Sequence, residues 1–214
     1  MTDFVTVDAK KLDTRTAYNL LVGSVAPRPI AWITTVDEEG RVNAAPFSSY
    51  NYIAHSPPMV GVNIGIRGTK LKDTARNLRT NGEFVINVAT EDNLELMHSC
   101  SAEYEPGVSE LEKMQIPTLP SEFIKPPRVA VSPIQMECRI VHILPLGRGL
   151  NTFYIGEVIA FHFSPEVYDG KYVHTLKVKP VARLGGPLYA GLGEIWNRPG
   201  LQSPPGLPED KSAV

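Results

Sequence analysis

The sequence predicts a mainly β fold: an antiparallel barrel with helical decorations. The first observation is a hairpin signature. Residues 30–36 are rich in β-branched and aromatic side chains, the turn 37–40 ends in glycine, and 42–52 resumes as an extended run. The second is a pair of long strands, Ile134–Leu146 and Thr152 to Phe163, near the end of the chain. The third is that only two or three segments have helical periodicity.

The remaining elements follow from periodicity and turn residues. Residues 70–81 are predicted to be helical, because Leu71, Ala75 and Leu78 recur at helical spacing, with Thr69 as the N-cap and Gly82 as the C-terminal stop. Further helices are predicted over 14–22 and 91–99, and further strands over 59–64, 83–88 and 175–183.

One domain is expected. A chain of 214 residues with 43% hydrophobic content suffices for one well-packed core. The sequence predicts a single domain over residues 1–196. Residues 197–214 contain four prolines and no apolar periodicity, so they are expected to be a poorly ordered tail or an extended arm.

Composition excludes several classes of function. A net charge of -2 argues against a nucleic-acid partner and against an acidic membrane surface. The start of the chain has no signal-peptide pattern, and no apolar run approaches the roughly 18 residues of a membrane span, so we expect a cytoplasmic protein with no membrane contact. Cys100 and Cys138 form no CxxC pair and are expected to be buried. The five histidines have no metal-site spacing, and no GxSxG, GxGxxG or Walker A motif occurs.

The segment 67–74 is the first candidate site. It combines a glycine turn, the hydroxyls of Thr69 and Thr74, and the cations Arg67, Lys70 and Lys72 at the start of a predicted helix. A helix N-terminus offers free N–H groups and partial positive charge, which suit a phosphate. An ordinary capped helix with solvated lysines fits the same spacing.

The segment 43–51 is the second candidate. Small and polar residues replace the apolar alternation expected of a core strand, so the backbone can approach a flat ligand closely. Backbone N–H groups and the side chains of Ser48, Ser49 and Asn51 are suited to hydrogen-bond the edge of a heteroaromatic ring. A sheet edge interrupted by Pro46 is the alternative interpretation.

An acidic cluster lies in the irregular, proline-bearing stretch 101–132. Its members are Glu103, Glu105, Glu110 and Glu112. We interpret it as a solvated surface loop, with a contact to a partner as the alternative.

Taken in order, these segments resemble the flavin reductase-like family, whose fold is the FMN-binding split barrel. The resemblance extends from about residue 14 to residue 189. The motifs that carry it are GSVAPRPIAW (23–32), NAAPFSSY (43–50), PP (57–58), KDTARN (72–77), EFVIN (83–87) and RLGGPLY (183–189).

The resemblance implies an antiparallel Greek-key split β-barrel that forms a homodimer and binds FMN near the subunit interface. It places the phosphate near Arg67, Lys72, Asp73 and Thr74, with Asp73 bonded to helix-start N–H groups or a lysine and not to the phosphate. The isoalloxazine and ribityl contacts would come from Ala45, Pro46, Phe47, Ser48, Ser49, Tyr50 and Asn51.

Three further residues match the family pattern less specifically. Arg28 belongs to the Pro-Arg-Pro element, where it either approaches the flavin or the dimer partner or is a structural arginine at a strand start. Arg183 and Tyr189 are candidates to cover the cofactor. His142 and His174 are weaker candidates for neighbours of the flavin ring, against ordinary strand histidines.

The resemblance implies an NAD(P)H-dependent flavin reductase that supplies reduced flavin or electrons to a partner such as a monooxygenase. Because the flavin performs the redox step, no acid, base or nucleophile is required of the protein. The leading alternative is a flavoredoxin-like electron-transfer protein without a nicotinamide site. An activity like that of pyridoxamine-phosphate oxidase, on a related barrel, and a pure binding module are the others.

Overall fold

A computed structural model describes residues 3–105, 107–148 and 151–196. The tail predicted over 197–214 lies outside the described residues. The strands are β1 (Arg28–Pro29), β2 (Ala31–Val36), β3 (Val42–Phe47), β4 (Tyr50–His55), β5 (Pro58–Gly65), β6 (Glu83–Val88), β7 (Thr118–Leu119), β8 (Arg128–Val129), β9 (Ile134–Leu146), β10 (Asn151–Phe163), β11 (Ala182–Arg183) and β12 (Tyr189–Ala190).

Helices decorate this β framework. They are α1 (Thr14–Ser24), α2 (Asp73–Thr80), α3 (Leu94–Ser99), α4 (Glu110–Lys113) and α5 (Thr175–Val178), with short 3-10 helices at Ala9–Lys11 and Glu91–Asn93. Within the described part of the chain, no helix combines the length and apolar character needed to cross a bilayer.

Seven antiparallel strands form the main sheet, in the order β3-β2-β6-β9-β10-β5-β4. Its two edge strands, β3 and β4, are consecutive in the chain and are separated only by Ser48 and Ser49. A flat seven-stranded sheet would place its edges about 29 Å apart, whereas the three peptide steps from Phe47 to Tyr50 span at most about 11 Å. The sheet must therefore curl until its edges meet, which produces the predicted antiparallel barrel.

Strand β2 explains how the barrel is packed. All six of its residues are buried. Ala31 and Ile33 face the main core inside the barrel, while Trp32 packs in a second core with Met97 of α3 and Leu111 of α4. A strand covered on both faces is buried along its whole length; the two polar side chains of β2, Thr34 and Thr35, are buried and hydrogen-bonded.

The predicted hairpins are confirmed, but the extended run predicted over 42–52 is divided at Ser48 and Ser49 into the two edge strands β3 and β4. In the turn after β2, the Asp37 carboxylate accepts hydrogen bonds from the N–H groups of Glu39 and Arg41, and Gly40 takes a positive φ of 81°. Strands β9 and β10 pair along their length, with two irregularities in register.

Two other predicted elements need correction. The helix predicted over 70–81 begins at Asp73, because Arg67 and Lys70 exchange backbone hydrogen bonds of 2.8 and 2.9 Å in a turn that precedes it. Lys72 and not Thr69 therefore occupies the N-cap position. The extended segment predicted over 175–183 is the short helix α5 followed by β11; Lys179 ends α5 in the left-handed conformation, with φ of 49°.

Candidate functional site

A cavity of about 510 Å³ opens where the two edges of the barrel meet. Its walls come from α1, the link between β3 and β4, β5, α3 and the β11–β12 end of the chain. The residues that line it include Tyr18, Arg28, Phe47, Ser48, Ser49, Asn63, Lys72, His98, Arg183 and Tyr189. We call it the larger cavity.

A second cavity, of about 380 Å³, adjoins it. Four residues, Pro46, Phe47, Lys72 and Ser101, line both. The second cavity has a strongly ionic wall, and we call it the charged cavity. Its cations are Arg67, Lys70, Lys72 and Arg76, and its carboxylates are Asp73, Glu105 and Glu110.

The start of α2 forms one wall of the charged cavity. Lys72 at the N-cap position makes no side-chain hydrogen bond to the helix, and the first intrahelical bond runs from the Arg76 N–H to the Lys72 carbonyl. The Asp73 carboxylate pairs with the Arg76 guanidinium at 2.6 Å instead of bonding helix-start N–H groups or a lysine. The first N–H groups of α2 therefore lack a side-chain cap, a geometry suited to an anion.

Lys72 lies between the two cavities. Its ammonium is 5.6 Å from the centre of the Phe47 ring. Burial lowers the pKa of this ammonium, and the neighbouring positive charge of Arg67 lowers it further. Both effects disfavour an isolated cation, so an anion placed here would be attracted to Lys72 and would favour its charged form.

Thr74 is held by a polar network from the adjoining strands. Its hydroxyl oxygen accepts a hydrogen bond of 2.9 Å from the Asn43 amide, which also reaches Thr35 at 3.3 Å. Asn77 donates to the same Thr35 hydroxyl at 3.0 Å. This network fixes the first turn of α2 against β2 and β3, so the helix start is preorganised.

The link between β3 and β4 forms the floor of the larger cavity. Ser49 accepts a hydrogen bond from the Asn63 N–H at 2.8 Å. The Asn63 side-chain oxygen is buried and has no hydrogen-bond partner among the described residues. Because an unsatisfied buried oxygen is costly, this atom is suited to accept from a ligand in the cavity.

The predicted ring-contact residues do not all reach the cavities. Ala45 lines the charged cavity, Pro46 and Phe47 line both, and Ser48 and Ser49 line the larger one. Tyr50 instead pairs with Val62 and packs on the main core, while Asn51 is exposed on β4. Burial raises the pKa of the Tyr50 hydroxyl.

Arg28 lines the larger cavity, but its guanidinium is bonded to backbone carbonyls. It donates to Val22 at 2.6 Å, to Val25, and to Leu184 at 2.9 Å. These contacts tie α1 to the segment after β11. Of the two interpretations left open by the sequence, the contacts favour a structural arginine.

An aromatic and basic cluster also lines the larger cavity. The His98 Nδ1 lies 2.9 Å from the Tyr189 hydroxyl, and the Arg183 guanidinium lies over the Tyr189 ring at 4.5 Å. Sequence reasoning missed His98, which stands in an amphipathic helix with no motif around it. His142 and His174 line neither cavity; His174 bonds Asp169 at 2.8 Å.

The acidic cluster is only partly the solvated loop that was predicted. Glu110 is buried, with its carboxylate accepting a hydrogen bond of 2.8 Å from the Ala44 N–H. Burial raises the pKa of this carboxyl. Glu103, in contrast, is exposed and pairs with Arg67 at 3.1 Å. The prediction was wrong for Glu110 because α4 turns it inward onto β3.

With this geometry in view, comparison with known proteins defines the class. A family model described as the flavin reductase like domain matches residues 23–178. The chain therefore belongs to the flavin reductase-like family, which is a flavin-binding family.

Similarity to solved structures supports this family assignment. Component B of nitrilotriacetate monooxygenase from Bacillus cereus is 33% identical, with a TM-score of 0.89 over 92% of this chain and 100% of that chain. The 2-nitrobenzoate 2-nitroreductase of Pseudomonas fluorescens is 32% identical, with a TM-score of 0.82 over 96% and 100%. A split-barrel protein from Shewanella frigidimarina, 23% identical, has a TM-score of 0.79 over 90% and 96%. The predicted split-barrel fold is confirmed.

Proposed function

We propose that this chain is an FMN-binding NAD(P)H:flavin oxidoreductase. The observation that carries the proposal is the pair of adjoining cavities. One is lined by cations and the uncapped start of α2, and the other by small polar residues and an unsatisfied amide oxygen. A molecule with a phosphate at one end and a flat, hydrogen-bonding ring at the other matches this pair.

The phosphate would lie in the charged cavity. The free N–H groups at the start of α2, the ammonium of Lys72 and the guanidinium of Arg67 would bind its oxygens, with the Thr74 hydroxyl as a further donor. Asp73 would not touch the phosphate, since its charge is neutralised by Arg76. The residues present thus fit a phosphate, although three carboxylates share the cavity with four cations.

The ring would lie in the larger cavity. The Asn63 side-chain oxygen needs a hydrogen-bond donor, and the imide N–H of a flavin is one. Ser48 and Ser49 carry hydroxyls on the same wall, and the Phe47 side chain offers an apolar surface. Riboflavin analogues methylated at the imide nitrogen should therefore bind less well than riboflavin.

Bound FMN would supply the chemistry, by accepting hydride and passing electrons on. The residues of this chain would bind and orient it, and no side chain is assigned a proton-transfer step. The His98, Arg183 and Tyr189 cluster lines the larger cavity and does not line the charged one. It would cover the ring region and shield it from water.

A homodimer is part of the proposal. Helix α1 has no buried residue, and it exposes Tyr18, Leu20 and Leu21 beside the mouth of the larger cavity. A second copy seated there would cover this apolar face and part of the cavity. Sedimentation of the purified protein tests this directly, with a dimer as the expected species. The chain's two cysteines are free and buried, which fits the reducing cytoplasm.

Reduction by a nicotinamide is the decisive test of the activity. Excess NADH or NADPH should bleach the absorbance of the bound flavin in an anaerobic stopped-flow experiment. Bleaching by dithionite alone would instead favour a flavoredoxin-like electron carrier. The likeness to a monooxygenase component B supports a monooxygenase as the recipient of the reduced flavin.

The phosphate site has its own test. The Lys72→Ala substitution should raise the Kd for FMN about tenfold, because a partly buried cation–phosphate contact is lost. Riboflavin, which lacks the phosphate, should be little affected. Lys171→Ala, outside both cavities, removes the same charge as a control. An equal loss of affinity for FMN and riboflavin would indicate that the phosphate binds elsewhere.

A further inference from the structure

Arg67 lines the charged cavity, and its positive charge is paired with a carboxylate. The residue that supplies this carboxylate does not itself line the cavity. The Arg67 Nε lies 3.1 Å from the Glu103 carboxylate, and both side chains are at least half exposed. The backbone of Arg67 is fixed by its exchange of hydrogen bonds with Lys70. The guanidinium is therefore held at the cavity with a carboxylate already bound to it.

We propose that Glu103 competes with the flavin phosphate for Arg67 and thereby keeps FMN weakly bound and exchangeable. The inference rests on the phosphate site proposed above. A carboxylate and a phosphate seek the same N–H groups of a guanidinium. When phosphate enters, Glu103 either leaves Arg67 or remains as a like charge beside a dianion, and each alternative lowers the affinity.

The charge of Glu103 also acts on Lys72. It favours the charged form of that ammonium and so opposes the lowering of the pKa caused by burial and by Arg67. Glu103 thus faces both cations that the phosphate would use. Its removal would leave the cavity more positive without changing a residue of the cavity wall.

The backbone around Glu103 is anchored independently of its side chain. The Tyr104 hydroxyl donates to the Ser99 carbonyl at 3.2 Å, and the Lys113 ammonium lies over the Tyr104 ring at 5.1 Å. Substituting the exposed Glu103 side chain therefore leaves the loop in place. The effect of the substitution on flavin binding can be assigned to charge.

A consequence is poor discrimination between flavins. The phosphate of FMN contributes less binding free energy when the arginine of the cavity is already paired with a carboxylate. The affinities of FMN and of neutral riboflavin should therefore differ less than they would if all four cations were free to bind the phosphate. Such a protein would take up and release flavin as a substrate and would not retain it as a fixed group.

The test is Glu103→Gln, with Kd measured by quenching of flavin fluorescence at low ionic strength, where screening is weak. FMN should bind about fivefold more tightly, the scale of one exposed ion pair, with riboflavin unchanged. Glu112→Gln, an exposed residue of α4 that lines neither cavity, controls for net charge and should leave both Kd values unchanged. Unchanged or weaker FMN binding by Glu103→Gln would overturn the inference.

Arg67→Ala separates this inference from the proposed site. Arg67→Ala should lower the affinity for FMN and leave that for riboflavin unchanged. In the Arg67→Ala background, Glu103→Gln should change FMN affinity less than it does in the wild type, as a double-mutant cycle requires of coupled residues. If Arg67→Ala leaves FMN affinity unchanged, Arg67 is no part of a phosphate site and both proposals about it fail. If Arg67→Ala weakens FMN while Glu103→Gln has no effect, only the competition fails.

Discussion

Glu137 and Glu110 are both buried glutamates that accept hydrogen bonds from the backbone, yet their surroundings differ. The Glu137 carboxylate accepts from the N–H groups of Glu122 and Phe123, each at 2.8 Å, and bonds the His162 ring at 2.7 Å. The Glu110 carboxylate accepts from the Ala44 N–H at 2.8 Å. Glu137 fastens a loop to the barrel wall, whereas Glu110 faces the charged cavity.

The pKa values of the two carboxyls shift in opposite directions. Burial raises the pKa of both. At Glu137, hydrogen bonds from Glu122, Phe123 and His162 outweigh burial and hold the pKa below its ordinary value of 4.5. At Glu110, burial raises the pKa, and the backbone N–H groups of Ala44 and of Glu110 itself do not offset it. Hydrogen bonds to the charged form therefore determine the direction of the pKa shift at Glu137, whereas burial determines it at Glu110.

The largest expected effect follows from removing Glu137, the carboxylate with more hydrogen-bond donors. Glu137→Ala leaves two backbone N–H groups without an acceptor and should lower the free energy of unfolding by about 3 kcal/mol. Urea denaturation measures this, with the exposed Glu166→Ala as a control. FMN affinity of the folded variant should not change, because Glu137 lines neither cavity. A loss below about 1 kcal/mol would contradict this account of Glu137.

A second effect appears on acidification. A carboxyl whose pKa is lower in the folded state contributes stability above its unfolded pKa and loses that contribution as the pH falls through the folded value. The wild type should therefore lose stability below about pH 4.5 through Glu137. Glu137→Gln cannot titrate and should lack this contribution. Identical pH profiles for the two proteins would refute the assignment.

The smallest effect concerns Glu110, where the sign reverses. A carboxyl with a raised folded pKa destabilises the fold as the pH rises through that value. Glu110→Gln retains an acceptor for the Ala44 N–H and should gain on the order of 1 kcal/mol or less over the wild type at neutral pH. The gain should vanish in acid. Thermal unfolding at two pH values measures it, and a gain that grows in acid would break the contrast with Glu137.

Local signals predicted the framework. Runs of β-branched and aromatic residues, and turn residues that act within a few positions, allowed β2, β3, β9 and β10 to be placed from the sequence. The start of α2 was misplaced because Leu71 continues the helical spacing. The structure instead uses the hydrogen bonds between Arg67 and Lys70 to make a turn there.

The parts of the site that were missed depend on distant contacts. His98 meets Tyr189 across 91 positions of sequence, and no local pattern reports that distance. Glu110 is buried only because α4 packs on β3. A signal did exist for Asn63, a polar residue within the apolar strand β5, on the same face as Gly61. An amide in that place is costly unless something pairs with it.

The two-residue link between the edge strands has a thermodynamic consequence. Ser48 and Ser49 are the only residues between β3 and β4, and they line the larger cavity. A ligand held there would contact the end of edge strand β3 and the link that joins it to edge strand β4. Its affinity is then linked to barrel closure, so the melting temperature should rise with flavin concentration. Unfolding from an edge, the weakest place in an open sheet, would begin by releasing the ligand.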